Sequence, residues 1–319
     1  MGRYSSPWHA IFAIEQSGAM LVRVKLEKAA TLALLGLLCL VGAIFAVLWG
    51  RALRERARRA GPPLAPRPVH LLVGLATDFF DTLGIGSFAT TTTAFRLGRL
   101  VDDRVVPGTL NVGHALPTVV QALIYITIVR VDMTTLVVMI AAAVAGSVLG
   151  SSVVSLWPRR VVRLAVGAAL VVASAVMLES ALGALPSGGS ALRLSGTALM
   201  AGAGTNFVLG ALMTAGIGLY GPCMILVSLL GMSPTAAFPI MMGSCAFLMP
   251  AASVQFVRRD AFDARAALGL SIGGIPGVLV AAFIVKSLPL IALRWLVVIA
   301  ASYAAVTLLK SATHPDESP

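Results

Sequence analysis

The sequence predicts an all-α polytopic membrane protein made of two inverted repeats. Each repeat is a re-entrant, broken helix plus three transmembrane helices, and an extra N-terminal transmembrane anchor precedes them. Three observations carry this. The 319 residues are 58% hydrophobic and 12% charged, with mean hydropathy +0.93, whereas soluble domains carry about 25% charged residues. Apolar stretches of roughly 20 residues recur, each long enough to cross a hydrocarbon core about 30 Å thick. These stretches form two matching sets across a short polar break.

In chain order, the tail 1–28 is mixed in character. The apolar run 29–50 is followed by Arg51, Arg54, Arg56, Arg58 and Arg59 rather than a small-residue cleavage site. It therefore reads as an uncleaved anchor whose downstream end stays in the cytoplasm. The linker 51–68 is basic, proline-broken and too polar to enter lipid. Repeat 1 spans 69–182, with apolar segments near 69–95, 106–129, 133–156 and 161–182. The loop 183–193, containing LPSGGSALR, separates it from repeat 2, which spans 194–310. The segments of repeat 2 fall near 194–231, 234–256, 266–286 and 289–310, and 311–319 is a tail.

Duplication is read from the residues least prone to chance agreement. One common shift aligns Asp132 with Asp263, Gly146 with Gly277, Pro158 with Pro289 and Arg163 with Arg294. Small gaps bring Gly113 onto Gly243, and Thr77-Asp78-Phe79 onto Thr205-Asn206-Phe207. Such internal repeats are common in secondary transporters. If every segment crossed, the arginine-bearing loops 96–104 and 157–163 would lie outside, against the positive-inside rule. If the first segment of each set enters and returns on one side, then 51–68, 96–104, 157–163 and 258–265 are all cytoplasmic. Those stretches gather most of the 24 basic residues. Each half then makes an odd number of crossings, so the halves are inverted.

The net charge of +11 sits in these short connections rather than on one face, so nucleic acid is not a partner. The lipid bilayer is. Cys39, Cys223 and Cys245 lie in apolar stretches without CxxC or Cys/His spacing and read as small buried thiols. No metal or cofactor is implied, and the chain is compatible with a homo-oligomer.

The chemistry concentrates at the two broken segments. Gly84-Ile85-Gly86 turns the first one back, and Gly216-Ile217-Gly218 the second. Glycine permits the reversal, and irregular backbone at membrane depth survives only along a protein-walled cavity. Each returning half-helix starts with free N–H groups and partial positive charge, a site for an anion. Ser87 stands at the first start, and Pro222 suits the first turn of the second. Asp78 and Asp81 lie i, i+3 near the end of the inbound half-helix, placed to exchange a proton with a coupling gradient. Asn206 replaces Asp78 in the second half. On the next helix Asn111 and His114 lie one turn apart, with Thr118 and Gln121 continuing that face. Ser244 and Cys245 stand at the matching place of repeat 2. The expected substrate-binding set is Gly84, Gly86, Ser87, Asn111, His114, Thr118, Asn206, Gly216, Gly218 and Ser244, with Asp78 and Asp81 for proton coupling. Thr90 to Thr93 are expected to bond their own helix.

GLATDFFDTLGIGSF, LNVGHALPT, and the glycine-rich AGSVLGSSVVSLWPRRVVR after Asp132 resemble the sulfite exporter TauE/SafE family of bacterial membrane permeases. The second half repeats the last motif as FDARAA followed by GGIPGVLVAAFIVKSLPLIALR, so the resemblance covers about 69–310. It implies transport of sulfite, organosulfonates or related oxyanions across the inner membrane, by a permease rather than an enzyme. The chain departs from the family's common pattern in its N-terminal anchor, in Asp78 and Asp81, and in Asn111 and His114. Two other readings stand beside this one. One is a cation transporter or channel with Asp78 and Asp81 as ligands. The other is an intramembrane enzyme using His114 with Asp78 or Ser87, for which the sequence offers neither a Gly-x-Ser-Gly nor an HExxH motif.

Overall fold

The computed structural model describes residues 7–59, 64–154, 159–182, 189–214, 218–287 and 290–313. Among these the chain is nearly all helical: α1 (Pro7–Arg58), α2 (Pro68–Thr82), α3 (Ser87–Gly98), α4 (Val106–Ile128), α5 (Met133–Val154), α6 (Arg159–Ala181), α7 (Gly196–Thr214), α8 (Tyr220–Leu229), α9 (Ala237–Arg258), α10 (Ala264–Ser287) and α11 (Leu290–Thr313). Five stretches, in α1, α4, α7, α9 (with the short turn before it) and α10, are long and apolar enough to cross a membrane. The surface is inside-out relative to a soluble protein. Leu97 and Phe283 are 83% and 79% exposed, whereas Asp78 and His114 are fully buried. Large apolar side chains face lipid, and the polar ones turn inward.

The first segment is broken where the glycines predict. Helix α2 begins at Pro68, whose missing N–H costs nothing in a first turn. It stops as Gly84 and Gly86 take φ of 95° and 87°, a region that side-chain-bearing residues avoid. The amides of Gly84 and Ile85 turn back onto the carbonyls of Asp81 and Phe80 (2.8 and 3.1 Å), and α3 starts at Ser87. In the second segment α7 ends at Thr214 and α8 begins at Tyr220, with Pro222 in its first turn. Gly216 and Ile217 lie outside the described residues.

Packing exchanges partners between the halves. Helix α2 lies along α10, and α7 along α5; α4 faces α9, and α6 faces α11. The matched glycines explain how close these pairs come. A Cβ at Gly277 would overlap the Leu75 carbonyl of α2, and one at Gly146 would overlap the Phe207 carbonyl of α7. Gly113 faces Leu270 of α10, while Gly243 faces Ile140 of α5. Pro117 inside α4 cannot bond the Gly113 carbonyl, and Ser271 of α10 takes that acceptor instead at 2.6 Å.

Helix α1 extends past the apolar run 29–50 at both ends, as the Ala-, Leu-, Arg- and Glu-rich stretch after it favours helix. It is packed onto the body rather than set apart. Leu38, Phe45 and Trp49 make a buried stripe, and Gly42 between them faces Val119 of α4. Arg56 then pairs with Asp260 at 2.6 Å and lies over the Phe262 ring. Cys223 and Cys245 are buried as expected. Cys39 is exposed instead, because it falls outside the Leu38–Phe45–Trp49 stripe.

Candidate functional site

The break after α2 leaves Asp78 and Asp81, one turn apart, pointing into the protein with 0% and 3% exposure. Helix α4 crosses them with His114 and Gln121, two turns apart on one face. His114 Nδ1 lies 2.9 and 3.0 Å from the two carboxylate oxygens of Asp78, and its Nε2 lies 2.9 Å from Thr91 Oγ1 of α3. Gln121 Nε2 donates to Asp81 Oδ2 and to Thr82 Oγ1, both at 2.9 Å. Gln121 Oε1 in turn accepts from the Tyr220 hydroxyl of α8 at 2.9 Å. The Ser87 hydroxyl, at the start of α3, faces Asp81. One buried network therefore joins α2, α3 and α4 of the first half to α8 of the second.

Carboxylate, imidazole and hydroxyl stand in series, with one partner at each ring nitrogen of His114. The amide of Gln121 links this region to Tyr220 without carrying charge. Helix α10 closes the side behind Asp78, where a Cβ on Gly274 would overlap the carboxylate. A fully buried carboxylate–imidazole pair is stable only when both partners stay and their remaining polar atoms are satisfied. The Thr91 contact provides that for His114.

The second half holds a neutral counterpart. Asn206 is fully buried, and its Nδ2 donates to the Met139 carbonyl of α5 at 2.7 Å and reaches Ser244 Oγ at 3.5 Å. Ser244 donates to its own helix at Ile240 O, and Asn206 Oδ1 meets no donor among the described residues.

Other residues of the expected set stand elsewhere. Asn111 donates to the Pro107 carbonyl of its own helix at 2.9 Å and does not join the cluster. Thr118 points at Met249 Sδ of α9 at 3.5 Å. Gly84 lies against Met224, Gly86 faces open space, and Gly218 has no neighbour where a Cβ would stand. Thr90 and Thr93 bond their own helix as expected, and Thr91 is the exception. Tyr220 was outside the expected set. Its signal was present: a tyrosine inside an apolar stretch, immediately after a glycine turn, needs a buried partner for its hydroxyl.

A family model described as Sulfite exporter TauE/SafE matches residues 10–177, more than half of the chain. The match begins in α1 and ends in α6, so the N-terminal helix lies inside it, and the second half lies beyond it. No curated protein and no solved structure matches the chain.

Proposed function

From the premise that the chain belongs to the sulfite exporter TauE/SafE family of membrane transporters, we propose that it is a permease for a small oxyanion, sulfite or an organosulfonate. It works in the bacterial inner membrane by alternating access between two inverted halves, with proton coupling at the Asp78/Asp81 pair. The supporting observation is the buried polar network at the α2–α3 break. Helix N-termini attract anions, and ionisable groups held within a membrane mark transport paths and proton relays. Ser87 and the first amides of α3 would receive an oxyanion oxygen, and the α8 start would close on it from the other half.

The test is flux in proteoliposomes, comparing sulfite, methanesulfonate, sulfate and monovalent cations under an imposed pH gradient. The expected result is flux of sulfite or methanesulfonate. Cation flux without anion flux would overturn the reading in favour of cation transport through Asp78 and Asp81. Single cysteines placed within 97–103 test the re-entrant, inverted arrangement separately: they should react with an impermeant maleimide only from the cytoplasmic side.

A further inference from the structure

For an anion permease, the charge balance of the cluster decides what travels with the anion. The groups facing Asp81 are Asp78 on its own helix, Ser87 of α3, His114 and Gln121 of α4, Tyr220 of α8 and Cys245 of α9. No arginine or lysine is among them. Among the described residues His114 is thus the one group of the cluster able to carry positive charge, and its Nδ1 is held between both oxygens of Asp78. Asp81 receives the amide of Gln121 at 2.9 Å and makes no salt bridge among the described residues.

We infer that the anion and a proton cross together in the same direction, with Asp81 as the proton carrier and Asp78–His114 as a fixed brace. This rests on the anion reading above. A buried charge must be paired or neutralised. An oxyanion arriving at Ser87 would set a second negative charge beside ionised Asp81, and like charges in one site oppose each other. A proton on Asp81 removes that repulsion. It also frees the Ser87 hydroxyl, which otherwise serves the carboxylate, to serve the anion. By linkage each ligand raises the affinity for the other. Mutual assistance gives co-transport, whereas exchange of anion for proton would need them to compete. A singly charged anion then crosses without net charge.

Methanesulfonate is the probe, because its single charge does not change with pH and any pH dependence belongs to the protein. The full chain is reconstituted in liposomes with the membrane potential clamped, and anion uptake and internal pH are followed together. Wild type should move methanesulfonate from the acidic to the alkaline side with one proton each, and uptake should fall by about ten-fold per pH unit on the alkaline limb. D81N should lose proton movement and outpace wild type at alkaline pH. D78N should transport more slowly yet still move protons. Anion flux that is indifferent to pH, anion movement towards the acidic side, a requirement for sodium instead, or D81N with the wild-type pH profile would each overturn the inference while leaving an anion permease. Should D81N fail to fold, the proton-to-anion ratio of wild type decides alone. Absence of any anion flux in wild type would remove the permease reading and this inference together.

Discussion

At matching places in the two halves, His114 meets Asp78 at 2.9 Å, while Asn206 reaches Ser244 only at 3.5 Å. Their places in the sequence-matched halves are alike. Asp78 sits on α2 and Asn206 on α7, the helix that opens each half, and His114 and Ser244 each directly follow one of the matched glycines, Gly113 and Gly243. The polar atoms are engaged differently. Asp78 is committed to an imidazole on α4, and Asn206 is committed to the Met139 carbonyl on α5, where it ties α7 to its neighbour. One half buries ionisable side chains and the other fastens helices. Two halves matched in sequence can therefore confine their ionisable groups to one of them.

The largest effects should come from unbalancing the charged half. His114→Ala leaves the Asp78 carboxylate buried without its partner, and such losses run to about 3–5 kcal/mol. Ser244→Ala removes a hydroxyl that bonds its own helix and should cost under about 1 kcal/mol. Thermal unfolding in detergent compares the two, and equal losses would break the contrast. The converse variant sharpens it. Asn206→Asp puts an unpaired carboxyl into the neutral half and should lower the melting temperature, and adding Ser244→His should restore part of the loss by rebuilding the pair.

A smaller effect separates scaffold from chemistry. A Cβ at Gly146 or Gly277 would overlap a backbone carbonyl of the other half. Backbone yields less readily than a side-chain tip, so Gly146→Ala and Gly277→Ala should each cost about 1–3 kcal/mol by overpacking. The two losses should be alike, because the packing is shared even where the chemistry is not. If one variant unfolds at the wild-type temperature while the other does not, the halves differ in frame as well as in content.

Much of the frame was legible in the sequence because it rests on local properties. Gly84 and Gly86 announce a turn that only their φ allows, and the matched Gly146 and Gly277 do the same work at two helix crossings. The cluster was legible by face but not by partner. Spacing shows Asp78 and Asp81 together and His114 and Gln121 together, yet their pairing depends on how α2 lies across α4. Asn111 shares the His114 face by spacing and still turned back, because the Pro107 carbonyl one turn earlier was nearer than the cluster. Spacing alone does not place Tyr220 in the cluster, since its acceptor, Gln121, belongs to the other half.

The smallest predicted effect tests the duplication at its plainest. Asp132 and Asp263 occupy the residue before α5 and α10, and each accepts from the backbone N–H three residues on, at Thr135 (3.0 Å) and Ala266 (2.8 Å). Asp132 Oδ1 also receives the Thr135 hydroxyl at 3.1 Å. Helix starts leave N–H groups unpaired, and an aspartate cap satisfies one of them for about 1 kcal/mol. Asp263→Ala should lose about that much, and Asp132→Ala a similar amount, because the Thr135 hydroxyl keeps its contacts with the backbone of Leu194. Denaturant unfolding of the two variants in micelles measures both. A clear loss in one with none in the other would mean that the matched aspartates are a coincidence of sequence. Two similar losses would place the likeness of the halves in their helix starts, where one aspartate closes each first turn.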